Sequence, residues 1–438
     1  MAFNSETGSY RDFRAIGKET VDQVNEAIHQ YLSVAREASA GSPNPHRSEY
    51  VGPKMLDVVS RAALERFFTL LASGEIDAQH GYDENELTKK VIADIVERTG
   101  ATEIFITLSG SAANLDLISS FVAAAKDPAT LKFVSCATEH SVKYEGGMLR
   151  KAGIIPENMI LLPAREQFDG VLDMATLSEA LEGIDSEFIF QMAVPTVEAV
   201  VPPLDELKAM VALVHKKGGK FLLDGARVAN ALVHWGVGLD ALKDIGVDGF
   251  TLGTSKKGGA AEVVGIFDPE AAKHLHDEAE SFGHVSSKIA PLALVTGVFL
   301  NTDYWRVEAA SENASAQVFA DAVRTLGIEP YFDVSSNMVF AKVPQEVLDV
   351  LASHPEFGGV YSDYGREEDI SRIVFTGFQS EESMKAMVAA LTEAMAAYTA
   401  AQATEAETQG PGTDAEAIEP DDAEPMMNLP MLQLSLEA

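Results

Sequence analysis

The sequence predicts an α/β protein: a large domain on a mainly parallel sheet, followed by a small C-terminal α+β domain. Three observations carry this. From about residue 48 to 300, short apolar runs alternate with helical patterns, as strands and crossover helices do. After residue 301 the order changes to one long helical pattern, then short strands, then a helix. A length of 438 residues, 46% of them hydrophobic, suffices for a large core and a smaller one.

The elements follow in chain order. Residues 1–47 form a polar arm with one helical pattern, Glu19–Glu37, and a Gly/Ser/Pro-rich linker over 38–46. The large domain, 48–300, has strand candidates Glu103–Thr107, Lys132–Cys136, Met159–Leu162, Glu187–Met192, Lys220–Leu223, Gly249–Leu252 and Val263–Phe267. Helical patterns between them include Asn114–Ala125, Met174–Glu182, Leu204–Lys217 and Leu239–Ile245. The small domain, 301–400, opens on Trp305–Leu326, has short strands near Val339 and Ile373, and closes on a helix from Glu381 to about Ala400. The tail, 401–438, holds nine acidic residues and no Lys or Arg, a composition expected to stay disordered at least to Pro425.

Charge and cysteine content exclude several classes. A formal charge of -34 repels nucleic acid and anionic membranes, whose binding depends on Lys and Arg. The longest apolar stretch, Ile289–Leu300, contains a proline and is too short to span a bilayer. The single cysteine, Cys136, cannot close an intrachain disulfide, and the opening residues lack the pattern of a signal peptide. The expectation is a soluble cytoplasmic protein acting on a small molecule, with no metal.

Four motifs, each after a strand, carry chemistry. Ser109-Gly110-Ser111-Ala112-Ala113-Asn114 opens a helix, whose free N–H groups suit a phosphate on Gly110 and Ser111, near Asn114. Glu139-His140, followed by Tyr144-Glu145-Gly146-Gly147, offers an imidazole able to stack on a flat ring. Leu223-Asp224-Gly225-Ala226-Arg227 puts a carboxylate at a strand's C-terminal end, where open α/β sheets bind ligands. Such a carboxylate can keep a pyridine nitrogen protonated, so that the ring accepts an electron pair. Thr254-Ser255-Lys256-Lys257-Gly258-Gly259 supplies an amine nucleophile, with small polar neighbours suited to a phosphate. Taken singly, each has a plainer reading: a helix cap, a polar loop, a salt bridge, a solvated Lys-Lys turn. Their conjunction, in this order, points to pyridoxal phosphate held as a Schiff base on Lys256 or Lys257.

On these residues the chain resembles fold type I pyridoxal-phosphate enzymes, the aspartate aminotransferase-like class. Within it the chain is similar to the low-specificity threonine aldolase and β-eliminating lyase group, from about Ser48 to Leu391. Gly110-Ser111-Ala112-Ala113-Asn114 resembles that group's Gly-Thr-x-Ala-Asn turn. His140 and Glu145 fall on its His…Glu-x-Gly, and Asp224-Gly225-Ala226-Arg227 with Asn230-Ala231 is close to its most distinctive signature. Ser286-Ser287-Lys288 and Trp305 through Asn313 resemble its entry to the small domain. The resemblance implies Arg372 and Ser48 for the substrate carboxylate; a guanidinium suits that group through paired hydrogen bonds. It also implies Asp224, Arg227 and Ser255 about the cofactor, and a homodimer or homotetramer.

The match departs in places. The group has one lysine where this chain has two; the Ser-Lys pair favours Lys256, while counting back from Glu262 requires a one-residue deletion. His80 stands in place of an active-site aromatic, which adds an acid/base group or narrows the substrate choice. The stretch Gln191–Glu198 is looser than the group's pattern and lacks a second arginine that some relatives carry. The expected reaction is cleavage of a β-hydroxy amino acid, threonine or allo-threonine giving glycine and acetaldehyde. His140, His80 and a bound water are rival bases. β-Elimination, transamination and a non-catalytic binding role are the alternatives.

Overall fold

Seven strands between Glu103 and Ile266 make the central sheet: β1 Glu103–Thr107, β2 Lys132–Cys136, β3 Met159–Leu162, β4 Phe188–Ala193, β5 Lys220–Asp224, β6 Gly249–Leu252 and β7 Glu262–Ile266. A computed structural model describes residues 2–4, 9–11, 50–51, 63–69, 85–165, 169–353, 362–363, 370–377 and 380–409. The strand order is β1-β7-β6-β5-β4-β2-β3. Pairs from β6 through β5, β4 and β2 to β3 are parallel, and β7 runs antiparallel to both β6 and β1. The expected mainly parallel sheet is therefore present, with β7 as its reversed member.

The strands read as continuous apolar runs because both sheet faces are covered. Alternate residues sort into two cores. Val134, Phe190, Phe221 and Val263 join one cluster, while Phe133, Ile189, Leu222 and Val264 join the other. Phe190 and Phe221 pack at 5.0 Å between ring centres in the first. Burying one such ring contributes about 1.5–3 kcal/mol.

Element boundaries move slightly from the expectation. The helix expected at Asn114 starts at Gly110, capped by the Ser109 hydroxyl on the Ala112 N–H at 3.2 Å. The strand expected at Val263–Phe267 is Glu262–Ile266, and the long helix is Tyr304–Thr325. Helices Glu86–Thr99, Val228–Trp235 and Ala290–Asn301 carried no sequence expectation.

A second sheet pairs β8 Met338–Ala341 and β9 Ser362–Asp363 antiparallel to β10 Ser371–Phe375. The short strand Tyr50–Val51 lies parallel to β10 on residues Val374 and Phe375. Contacts divide the chain into Met1–Met395, which holds both sheets, and Ala396–Ala438. The last helix runs Glu381–Gln409, so residues 401–409 are helical where a disordered tail is expected. Alanine and glutamate, both good helix formers, dominate Ala396–Gln409 and account for the extension. The Glu19–Glu37 helix, the 38–46 linker and the tail beyond Gln409 lie outside the described residues. Among the described residues no helix is long and apolar enough to cross a membrane.

Candidate active site

The C-terminal ends of the parallel strands converge on a cleft of about 350 Å³. Asp224 ends β5 and is buried. Its carboxylate accepts from Asn114 Nδ2 at 2.9 Å, from the Ala226 N–H at 3.0 Å and from the Thr251 hydroxyl at 3.5 Å. The turn after it needs glycine. A Cβ on Gly225 would lie 1.9 Å from the Thr251 carbonyl oxygen, and one on Gly253 would lie 2.1 Å from that of Ala226. The Gly253 N–H donates to the Gly225 carbonyl at 2.9 Å, so the aspartate turn and the lysine loop are fastened together.

That loop, Thr254–Gly259, separates its two lysines. Lys256 lines the cleft. It stays within reach of solvent there, yet sits deep enough that burial lowers its amine; the nearby Arg227 charge adds to this, and together they bring it to about 8. Lys257 turns away into the protein, its side chain 1% exposed, and donates to the carboxylate of Glu312. Ser255, expected near the phosphate, is exposed and donates its hydroxyl to Glu262, which also accepts the Thr254 N–H at 2.8 Å. The loop closes on the first residue of β7, and this claims the Ser255 hydroxyl.

Opposite, Gly110, Ser111 and Asn114 line the cleft at the N-terminus of the Gly110–Ala124 helix. Glu145 gathers their side chains: it accepts from the Ser111 hydroxyl, from Asn114 Nδ2 at 3.5 Å, and faces His140 Nδ1 at 3.6 Å. Burial pushes Glu145 up, but the hydrogen bonds from His140, Ser111 and Asn114 outweigh it and hold it below its ordinary value. His140 tilts against Tyr144 at 5.2 Å. Arg372, opposite Phe340 on β8 and Ser362 on β9, faces the same cleft, as do Arg227, Met338 and Thr196. The loosely matching stretch Gln191–Glu198 thus supplies a wall of the cleft. The structure brings together Gly110, Ser111, Asn114, His140, Asp224, Arg227, Lys256 and Arg372; Ser48 and His80 lie outside the described residues. Among the described residues no group of His, Cys, Asp or Glu is placed to hold a metal.

Two sets of residues carried no expectation. Glu139 is buried and accepts the Ala193 N–H at 2.8 Å and the His140 N–H at 3.0 Å; burial first, then the Asp224 charge, pushes it up to about 8. Glu308 and Glu312 are buried on one face of the Tyr304–Thr325 helix. Their signal was present: two acids four apart among Trp305, Ala309, Ala316 and Phe319 sit on an apolar stripe, where an acid needs a partner.

The beta-eliminating lyase family model matches residues 71–345, more than half of the chain. The chain belongs to the beta-eliminating lyase family. A low-specificity L-threonine aldolase of Pseudomonas aeruginosa is 30% identical over 150 residues, covering 34% of this chain and 43% of that protein. The match thus spans less than half the length of that curated relative. Among solved structures, Leishmania major threonine aldolase superposes with a TM-score of 0.65 at 20% identity, over 76% of this chain and 96% of that one. A Sphingomonas wittichii serine palmitoyltransferase superposes with a TM-score of 0.60 at 14% identity, over 84% of this chain and 96% of that one. These likenesses establish fold type I. Family membership brings pyridoxal phosphate as the cofactor and places the chain among PLP-dependent lyases.

The cleft of this family member fits that cofactor. A Cβ on Gly110 would meet nothing within 4 Å, so there is open room beside the helix N-terminus for a phosphate. The Asn114 Oδ1 is buried with no hydrogen-bond partner at the cleft wall. A buried carboxylate, an amine brought to about 8 and two guanidiniums share one cavity, the set that a pyridine ring, an aldehyde and an anionic group require.

Proposed function

We propose that this protein cleaves the Cα–Cβ bond of β-hydroxy amino acids, converting threonine or allo-threonine to glycine and acetaldehyde. The observation that carries the reading is Lys256, with its lowered amine, sharing a cleft with Asp224 and Arg372. Bound pyridoxal phosphate supplies an aldehyde that condenses with amines and a ring that accepts the electron pair of a bond broken at Cα.

In this reading the residues divide the work. Lys256 supplies the amine; its lowered proton affinity raises the neutral fraction near pH 8. Asp224, fixed by Asn114 and the Ala226 N–H, provides the negative charge that holds a proton on a pyridine nitrogen. Gly110 and Ser111 offer backbone N–H groups to the phosphate. Arg372, with Ser48, grips the substrate carboxylate by paired hydrogen bonds, and Arg227 holds a charge beside Lys256. His140 lies on the cleft wall, held by Glu145, where it can stack on the ring and take the proton of the substrate hydroxyl. His80 is the rival base; unchanged activity and substrate range in His80→Phe would remove it.

The test is product identity after incubation with threonine, allo-threonine and phenylserine. Aldehyde with glycine is the expected result. A keto acid with ammonia indicates elimination instead, and no aldehyde from any of the three overturns the reading. The working form is proposed as a cytoplasmic homodimer or homotetramer, by family likeness; a fully active monomer in sedimentation would overturn that part.

A further inference from the structure

We propose that Glu312 is a positioning residue that keys three separate parts of the site, the lysine loop, the aspartate turn and the Arg372 strand, to one carboxylate. The inference rests on the assignment of Lys256 to the cofactor and of Arg372 to the substrate.

Glu312 is fully buried on the Tyr304–Thr325 helix, and its two oxygens are committed in three directions. Oε2 accepts from Lys257 Nζ, the residue next to Lys256. The same oxygen accepts from Asn230 Nδ2 at 2.9 Å, three residues after Arg227 in the helix that opens directly after the aspartate turn. Oε1 accepts the Gly377 N–H at 3.0 Å, just past the end of the strand that carries Arg372. One turn earlier on the same helix face, Glu308 accepts the Gly258 N–H at 2.9 Å, so the lysine loop is held at two successive residues.

The plain alternative is a buried ion pair that serves only the fold. Such pairs are weak evidence for stability, because desolvating both charges costs about as much as their attraction returns. What sets this one apart is its topology. A carboxylate can accept several hydrogen bonds at once, and here they come from segments far apart in the chain. Each segment leads within a few residues to Lys256, to Asp224 and Arg227, or to Arg372. Functional groups held by a second layer of such bonds keep the geometry that binding requires. Removing the shared acceptor loosens three segments together, although Glu308 still holds Gly258 and Asn313 still holds Asn230 at 2.8 Å.

The experiment uses the full chain with Glu312→Gln and the double variant Lys257→Met/Glu312→Leu. The double variant removes both charges at similar volume and so avoids a buried unpaired ammonium should Glu312→Gln fail to fold. Far-UV dichroism establishes folding. Cofactor affinity is read by titrating apoprotein with pyridoxal phosphate and following visible absorbance; glycine affinity is read from the spectral change it produces in the holoprotein. We expect both affinities to weaken about tenfold in a folded variant, the scale of one or two lost hydrogen bonds. A lowered melting temperature with both affinities within about twofold of wild type overturns the proposal. Loss confined to one affinity also overturns it, since a single carboxylate is claimed to serve both. Lys256→Ala, measured alongside, reports on the lysine assignment separately: it fails if that variant keeps the lysine-bound absorbance.

Discussion

The front and back of the Thr254–Gly259 loop hold the same kind of side chain under opposite conditions. At the front, Lys256 lines the cleft, and burial with Arg227 nearby brings its amine to about 8. At the back, Lys257 is enclosed and meets Glu312 directly. Burial alone disfavours a charged lysine in both places. The difference is the contact carboxylate, which accepts a hydrogen bond from the Lys257 amine and keeps that side chain out of the cleft. Adjacent positions in a tight turn point apart, so one loop presents one amine to the cleft and buries the other against Glu312.

The largest effect expected follows from that contrast. Lys256→Ala should abolish the visible absorbance of lysine-bound pyridoxal phosphate and all turnover, while Lys257→Met should keep the band with a lower melting temperature. The reverse pattern would exchange the two roles. Next in size is Arg372→Lys, which keeps the charge but loses the two-pronged grip. Amino-acid affinity should fall about 10- to 100-fold, the range for one or two charge-assisted hydrogen bonds; an unchanged affinity places the substrate carboxylate elsewhere. The smallest is a pH effect. Because the Lys256 amine is lowered to about 8, its neutral fraction grows as pH rises through that value. Cofactor capture by apoprotein should therefore accelerate about tenfold between pH 7 and 9. Arg227→Gln, which removes a neighbouring positive charge, should move that midpoint upward in stopped-flow absorbance.

Much of this was legible before any coordinates. The strands of the central sheet are short, continuous apolar runs covered on both faces, and runs such as Phe188–Ala193 declare themselves whatever their neighbours. The motifs at the strand ends stood out because phosphate, ring and amine chemistry each demand particular residue types, and the structure gathers Gly110, Ser111, Asn114, His140, Asp224, Arg227 and Lys256 on one cleft. The reversal of β7 was not, since Glu262–Ile266 has the same apolar character as a parallel strand. The Ser-Lys pair favours Lys256 in the sequence, but the partner that buries Lys257 was not legible, because Glu312 lies more than fifty residues away. Ser255 is drawn elsewhere by Glu262, and the burial of Glu139, named in the sequence only as the neighbour of His140, rests on backbone N–H partners that leave no trace in the sequence. Long-range polar pairing is the part of the site that composition and periodicity do not encode.

The interlock of Gly225 with Gly253 has a consequence for inheritance. Neither glycine lines the cleft, yet a side chain at Gly225 would strike the Thr251 carbonyl on β6, and one at Gly253 would strike the Ala226 backbone of the aspartate turn. The segments bearing Asp224 and Lys256 therefore travel as a cassette. A chimera with a crossover between these two strands would succeed only if both parents share the paired glycines, and a random library would find those two sites intolerant although neither performs chemistry.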